Sequence, residues 1–224
     1  MNVYYPDKEI ILTTFLSRIP TILGIKLRSL IYQSLFKRMG NSVYIQEGAN
    51  FFGTSCIEIG EIVHILKGVN IDARGMNNNI YIKDGVVLYE GVNIKALNAT
   101  NICIGENTLI SNNVCIIGQE NIKIGRDCFI GDHSGIFTSH HVFSDMNMNT
   151  TTYNSVIKKG IIIGDDCWFG HGVTVLNGVT IGKGSVICPN SIVTEDIPPY
   201  SKVSGTPAKV IESRQKYQLK FSDN

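Results

Sequence analysis

Residues 161–194 read IIIGDDCWFGHGVTVLNGVTIGKGSVICPNSIVT, and an apolar side chain returns at every sixth position of this stretch. An α-helix repeats every 3.6 residues and a β-strand every two, so neither element alone explains a period of six. A parallel β-solenoid does explain it, because short strands separated by tight turns form the faces of each coil. We therefore expect these side chains to point into the interior of a prism: Ile163, Phe169, Val175, Ile181, Ile187 and Val193.

The same period continues toward the N-terminus in two tracts, the second displaced by two residues from the first. We expect the residues of both tracts to share the inward row: Ile80, Val86, Val92, polar Asn98, Ile104, Ile110 and Ile116, then Ile124, Ile130, Ile136 and Val142. The pattern predicts an all-β solenoid domain over residues 41–211. An N-terminal helical segment over residues 1–40 precedes this domain, and a short tail or helix over residues 212–224 follows it.

Length and composition suit a single elongated domain. The chain has 224 residues, of which 43% are hydrophobic, so it can bury a sizeable core. Its net charge of +1 gives no electrostatic reason to expect a nucleic-acid partner. The six cysteines form no C-x-x-C pair and no zinc-finger spacing, so we interpret them as reduced thiols of a cytoplasmic protein.

The N-terminal segment allows two interpretations. Its apolar stretch from Ile10 to Phe36 is interrupted by Arg18, Lys26 and Arg28, so no uncharged run reaches the roughly 18 residues of a membrane span. Helical spacing within it suits a helix that caps the open end of the solenoid and hides its strand edges. The same spacing, with basic residues on the outer face, also suits an amphipathic helix at the inner face of the cytoplasmic membrane.

A long polar interruption divides the repeat between Val142 and Ile163. Such a segment must leave the coil, so we expect an external loop at about residues 143–160. The sequence before it reads Thr138-Ser139-His140-His141-Val142. Because strand side chains alternate between faces, an inward Val142 places His140 inward and His141 outward. The same rule places Trp168, which precedes inward Phe169, on the outer surface.

Several motifs together resemble the left-handed β-helix hexapeptide acyltransferases, and most closely the maltose, galactoside and surface-polysaccharide O-acetyltransferases. The resemblance covers about residues 41–211, and its left-handedness comes from that family alone. The motifs are the six-residue aliphatic-glycine period, Thr-x-x-His at 138–141, Gly-Asp-Asp-Cys-Trp-Phe-Gly at 164–170, Gly-Val-Thr-Ile-Gly at 178–182 and Gly-Thr-Pro-Ala-Lys at 205–209.

The resemblance implies a homotrimer that binds acetyl-CoA in grooves between neighbouring subunits and needs no metal. His141 matches the family's catalytic histidine, a general base whose pKa of about 6.5 suits proton transfer near neutrality. No Gly-x-Ser-x-Gly motif is present, so transfer to the acceptor would be direct. The implied donor site comprises Trp168, Gly170, Gly172 and Thr174 along the pantetheine arm, with Lys183 and Lys209 at the phosphates.

The acceptor side departs from the family. Sugar-acetylating relatives carry an asparagine thirty residues before the catalytic histidine, and Ser111 stands at that position here. A serine hydroxyl can still bind a sugar hydroxyl, although it reaches less far. We expect the acceptor to be bound by Ser111, Asn113 and Asp145.

These residues indicate an acetyl-CoA-dependent O-acetyltransferase that acts on a sugar hydroxyl of a bacterial cell-surface polysaccharide or its precursor. An N-acetyltransferase of a nucleotide-linked amino sugar is the nearest alternative. A metal-dependent hydratase on the same scaffold would need three histidine ligands, a spacing that the five histidines do not show: His64, His133, His140, His141 and His171. A purely structural solenoid would leave His141, the loop and outward Trp168 without a role.

Overall fold

The computed structural model of the chain describes residues 8–138 and 159–214, with side chains from residue 13 onward. Three sheets form the sides of a parallel β-solenoid. Sheet 1 comprises β1 (Arg38–Met39), β4 (Ile57–Ile59), β7 (Asn79–Ile82), β10 (Asn101–Ile104), β13 (Ile122–Ile124), β16 (Ile161–Ile163) and β19 (Thr180–Ile181). Sheet 2 comprises β2 (Tyr44–Ile45), β5 (His64–Ile65), β8 (Val87–Leu88), β11 (Leu109–Ile110), β14 (Phe129–Ile130), β17 (Trp168–Phe169), β20 (Val186–Ile187), β22 (Ser201–Gly205) and β23 (Ala208–Ser213). Sheet 3 comprises β3 (Asn50–Phe52), β6 (Asn70–Asp72), β9 (Asn93–Ala96), β12 (Cys115–Gly118), β15 (Gly135–Phe137), β18 (Thr174–Val175) and β21 (Ile192–Val193).

The six-residue period has the structural meaning that the sequence predicts. Its positions in residues 161–194 are buried in the interior of the prism: Ile163, Phe169, Val175, Ile181, Ile187 and Val193. Ile162 pairs with Thr180, so this coil takes 18 residues, or three six-residue units. Each buried aliphatic side chain contributes about 1.5–3 kcal/mol through removal of its surface from water. Stacking the coils therefore builds one continuous core.

The strands carry two inward rows rather than one. Val86 and Leu88, which lie two residues apart on consecutive coil positions, are both fully buried. Earlier coils are also longer: Ile80 pairs with Ile102, 22 residues on, and Ile82 pairs with Ile104. The prediction that Ile80 and Ile104 share a row, with Asn98 between them, is therefore wrong. Asn98 is an exposed corner residue with a φ of 58°.

Two helices, α1 (Lys8–Ser17) and α2 (Thr21–Tyr32), cover the first coil. The guanidinium of buried Arg28 donates hydrogen bonds to the carbonyl oxygens of Ile45, Leu16 and Ile19, at 3.0, 2.8 and 2.8 Å. The buried ring of Tyr32 packs edge-on against Phe51 of β3, at 5.8 Å between centroids. The helices thus satisfy part of the strand edge that the first coil leaves open. No helix in the described part of the chain is long and apolar enough to cross a bilayer.

An antiparallel strand ends the described chain. β22 continues sheet 2 in the parallel sense, and β23 then turns back and pairs with it. The turn residue Gly205 has a φ of 111°, a conformation that glycine adopts without the steric cost of a Cβ. The hairpin covers the last parallel strand, a feature that the six-residue period does not predict.

Candidate active site

An aromatic pair stands on the outer face of sheet 2. Trp168 is 43% exposed, which confirms the outward orientation predicted from strand alternation. Its ring stacks on that of Phe129, one coil earlier, with centroids 6.2 Å apart and an interplanar angle of 14°. The two rings form a flat apolar surface at which a partly apolar ligand could be covered.

The predicted donor residues beside this pair follow one coil around the corner between sheets 2 and 3. Trp168 lies on β17, Gly170 and Gly172 lie in the turn, and Thr174 begins β18. Coil stacking already requires both glycines. A Cβ at Gly170 would lie 2.6 Å from Pro189 Cγ, and Gly172 has a φ of 68°. The structure therefore brings the four residues together and gives the glycines a structural role in addition to any role in binding.

The same corner holds a carboxylate that the sequence interpretation missed. Asp132 accepts hydrogen bonds from the Ser111 hydroxyl and from the Asn112 backbone N–H, the latter at 3.0 Å. The hydrogen bond from Ser111 holds the pKa of Asp132 below its usual value, so this carboxylate stays ionised near neutrality. Because Ser111 and Asp132 lie on successive coils, their partnership depends on the length of the coil between them.

The predicted acceptor residues in this region have different surroundings. Ser111 is buried and its hydroxyl is engaged by Asp132. Asn113 is exposed in a left-handed corner conformation with a φ of 55°. Its side chain closely approaches Gly91 of the preceding coil, where an added Cβ would lie 2.4 Å from Asn113 Oδ1. Ser111 thus acts through a neighbouring carboxylate, whereas Asn113 contributes first to the corner itself.

Two histidines stack at the next coil positions of this corner. The rings of His133 and His171, both exposed, lie edge to face with centroids 5.2 Å apart. Within residues 13–138 and 159–214, no group of three or more histidine, cysteine, aspartate or glutamate side chains is placed to hold a metal ion.

The two predicted phosphate-binding lysines lie at separate places on one subunit. Lys183 belongs to the corner between sheets 1 and 2, and its ammonium lies 5.6 Å from the Tyr200 ring centroid. Lys209 belongs to β23 and forms an ion pair with Glu195 at 2.9 Å. The fold of a single chain therefore does not bring these cations into one site.

His141, together with His140 and Asp145, lies outside the described residues, as does most of the predicted loop. The structure does describe both ends of the interruption. At the N-terminal end, the Thr138 hydroxyl accepts hydrogen bonds from the backbone N–H groups of Gln119 and Glu120, at 2.7 and 3.0 Å. At the other end, the N–H of Ile161 donates to Asn121 O at 2.9 Å. The chain thus leaves and rejoins the solenoid at one corner, between sheets 3 and 1.

The cysteines that enter the core are poor nucleophiles. Cys128 and Cys167 are buried on successive coils of sheet 2, and all six cysteines of the chain are free thiols. The hydrogen bond with Cys128, together with burial, raises the pKa of the Cys167 thiol well above its usual value. A thiol that stays protonated and enclosed is not suited to carry an acyl group.

Comparisons with known proteins agree with this architecture. The model of the bacterial transferase hexapeptide (six repeats) matches residues 160–195, and the hexapeptide repeat of succinyl-transferase matches residues 121–139. A Staphylococcus aureus protein provisionally named as an acetyltransferase is 41% identical over 112 residues, which are 50% of this chain and 54% of that protein. An Escherichia coli protein provisionally named as the lipopolysaccharide biosynthesis O-acetyl transferase WbbJ is 33% identical over 129 residues, 54% of this chain and 65% of that protein.

A solved structure extends the likeness over most of the fold. The polysialic-acid-specific acetyltransferase NeuO superposes with a TM-score of 0.59 at 24% identity, over 82% of this chain and 97% of that one. The chain spans about half the length of the curated relatives it matches first. The matched residues, 121–139 and 160–195, are hexapeptide repeats of the bacterial transferase type.

Proposed function

We propose that the chain is an acetyl-CoA-dependent O-acetyltransferase that transfers acetyl directly to a hydroxyl of a sugar, in a bacterial surface polysaccharide or its precursor. The similarity to acetyltransferases at 33–41% identity over about half the chain supports the proposal most strongly. Acetyl-CoA is made in the cytoplasm, so we place the reaction there. The fold alone decides less, because one scaffold hosts many activities.

On the donor side, the surface formed by Trp168 and Phe129 would cover the pantetheine arm of acetyl-CoA. The backbone of Gly170 and Gly172 lies beside that surface without side chains, so a ligand can approach it closely. Lys183 and Lys209 would meet the CoA phosphates only if neighbouring subunits bring them together or if they bind different phosphates. A groove between subunits satisfies the first condition.

On the reaction side, His141 would act as the general base. Its neutral imidazole takes the proton of the acceptor hydroxyl while that oxygen attacks the thioester carbonyl carbon. Backbone N–H groups would stabilise the developing oxyanion. The carbon–sulfur bond then breaks, and the departing CoA thiolate takes the proton from the imidazolium. The fixed position of Thr138 supports this role, since it anchors the chain three residues before His141.

On the acceptor side, Asp132 would bind a sugar hydroxyl as an ionised hydrogen-bond acceptor, and Ser111 would orient it. A carboxylate that already accepts two or more hydrogen bonds is held in one rotamer and keeps lone pairs for a ligand. Asn113 and Asp145 remain proposed contacts of the acceptor. This arrangement replaces the longer asparagine of related enzymes by a serine-aspartate pair.

Transfer to a panel of acceptors tests the proposed function. The purified chain would be given acetyl-CoA with neutral oligosaccharides, sialic-acid oligomers or nucleotide-linked amino sugars, and release of the CoA thiol and the product mass would be followed. We expect a product that carries an acetyl group removable by mild base, as an ester is. A base-stable product would indicate the N-acetyltransferase alternative, and an inability to bind acetyl-CoA would contradict both.

Replacing Trp168 by alanine should weaken acetyl-CoA binding by roughly tenfold or more, because the cofactor would lose an aromatic surface that it covers. Isothermal titration calorimetry measures the change. Tyr81→Ala is the matched control, since Tyr81 is an outward aromatic residue on sheet 1, away from this corner. Equal affinity in wild type and Trp168→Ala would remove Trp168 from the donor site.

The chain should be a homotrimer in solution. Trp168 on sheet 2 and Ile162 on sheet 1 leave apolar surface exposed on neighbouring sides of one coil, and such surface is usually covered. Size-exclusion chromatography with light scattering should give three times the mass of the chain. A fully active monomer would refute both the trimer and a donor groove between subunits.

A further inference from the structure

The outer face of α2 is apolar, and its inner face carries the charge. Ile22, Leu23 and Leu30 are 71%, 63% and 72% exposed. The residues that face the first coil are Gly24, Arg28 and Tyr32, all buried. This is the reverse of the usual amphipathic pattern, in which polar residues face water. A helix that buries an arginine and exposes three large aliphatic side chains has an outer face suited to something less polar than water.

A strained isoleucine enlarges this apolar surface. Ile62 has a φ of 56°, a conformation that is a genuine outlier for a β-branched residue. Other coils place residues with less steric cost at the same corner: Gly85, Asn107, Asp127, Asp166 and Gly184. Ile62 nevertheless keeps its side chain 62% exposed. A backbone strain that serves no burial points to a role for this side chain at the surface.

An open groove connects Ile62 with α2. It has a volume of about 560 Å³ and lies between the helix and the start of sheet 2. Its lining is mainly apolar and includes Ile25, Leu30, Val43, Tyr44 and Ile62. The exposed helix face and the groove therefore form one continuous surface, to which Phe15 at the end of α1 adds a further exposed ring.

The charge around this surface has one sign. The sequence from Ile10 to Gln46 contains five basic residues and no aspartate or glutamate, although the whole chain has a net charge of only +1. Of these basic residues, Arg18 and Lys26 are exposed beside the apolar side chains. Neither forms an ion pair with another residue whose side chain the structure describes. Free cations among exposed aliphatic side chains are complementary to a negatively charged, partly apolar partner.

We propose that this surface binds a bilayer that contains anionic phospholipid. We call it the N-terminal face and define it by Phe15, Arg18, Ile22, Leu23, Lys26, Leu30 and Ile62. The apolar side chains would enter the boundary between headgroups and acyl chains, and the two cations would remain at the level of the phosphates. A second copy of the chain fits less well, since apposed N-terminal faces would bring cations together without acidic partners.

Vesicle sedimentation with the full chain tests the charge requirement. The wild-type protein should sediment with vesicles of phosphatidylglycerol and phosphatidylcholine, and much less with phosphatidylcholine alone. Reversing both cations, Arg18→Glu with Lys26→Glu, should lower partitioning by roughly tenfold or more. The control pair Lys83→Glu with Lys123→Glu makes the same change in net charge at exposed positions on sheet 1 and should partition like the wild type.

The apolar requirement is tested separately. Leu23→Ser with Leu30→Ser should lower partitioning on the same vesicles, whereas Met76→Ser with Ile211→Ser, two exposed residues outside this face, should not. Ile62→Asn is the sharpest variant, because it relieves backbone strain while removing apolar surface. It should weaken vesicle binding and keep or raise the melting temperature, which also excludes misfolding as the cause.

Three results would overturn the proposal. One is equal partitioning of the wild type onto anionic and neutral vesicles. Another is an equal loss of binding in the control pairs. The third is an oligomer that dissociates on Leu23→Ser with Leu30→Ser in a protein that binds no vesicles, which would identify a second copy as the partner. None of these measurements uses acetyl transfer, so the proposal stands or falls independently of the proposed function.

Discussion

His141→Ala should lower turnover by about 10²–10⁴, the usual contribution of a positioned general base. Acetyl-CoA affinity and thermal stability should stay nearly unchanged, because an outward imidazole at the root of an excursion adds little to the core. The effect follows from removal of the group that accepts the acceptor proton. Steady-state kinetics with saturating acetyl-CoA, binding by calorimetry and a melting curve measure the three quantities.

The neighbouring histidine provides the control. Strand alternation predicts that His140 points inward, so His140→Ala should cost roughly 1–3 kcal/mol of stability with a smaller loss of turnover. The two variants therefore have opposite signatures. An active His141→Ala enzyme would remove the proposed base, and an inactive but fully stable His140→Ala enzyme would show that the predicted register is displaced by one residue.

Arg28→Leu should destabilise the N-terminal coil by about 3 kcal/mol, because three buried carbonyl groups would lose their hydrogen-bond donor. Burial lowers the pKa of Arg28, but an arginine remains protonated over the accessible pH range. The loss should therefore not depend on pH. Amide hydrogen exchange is the suitable measurement, since a solenoid can unfold locally and the change should be largest in β2 and α2.

Lys26→Leu is the matched control for Arg28→Leu. It removes a cation from the same helix at an exposed position, two residues away. Exchange rates in β2 should not change in this variant. Equal protection in Arg28→Leu and the wild type would mean that packing of Tyr32 and Phe51, rather than the arginine, holds the helices on the first coil.

The period of the sequence predicts the solenoid well where each coil takes 18 residues and less well elsewhere. Around Ile162 and Thr180 the coil holds three six-residue units, and every predicted inward residue is buried. Between Ile80 and Ile102 extra corner residues lengthen the coil. Two apolar rows lie two residues apart on each strand, so a count of six can pass from one row to the other and still meet aliphatic residues. This is why Asn98 was placed inward.

The candidate site shows a similar division. Trp168 could be predicted because alternation along one strand is a local property. Asp132 could not, because its meaning depends on Ser111 one coil earlier, and a coil of variable length hides that register in the sequence. The ion pair between Lys209 and Glu195 depends likewise on the antiparallel return of β23. His141 and Asp145 remain predictions from the sequence.

The order of sheet 2 also fixes a length. From β2 beside the helices to β17, which carries Trp168, the sheet takes five steps between neighbouring strands. Each step is about 4.8 Å, so Trp168 lies about 24 Å along the solenoid axis from the first coil. Neither helix nor loop contributes to this distance, which makes it as rigid as the hydrogen-bonded ladder itself. A solenoid anchored at its N-terminal face would act as a ruler that sets how far from the anchoring surface a glycan is modified, and adding or removing one coil would move that point by a single strand spacing.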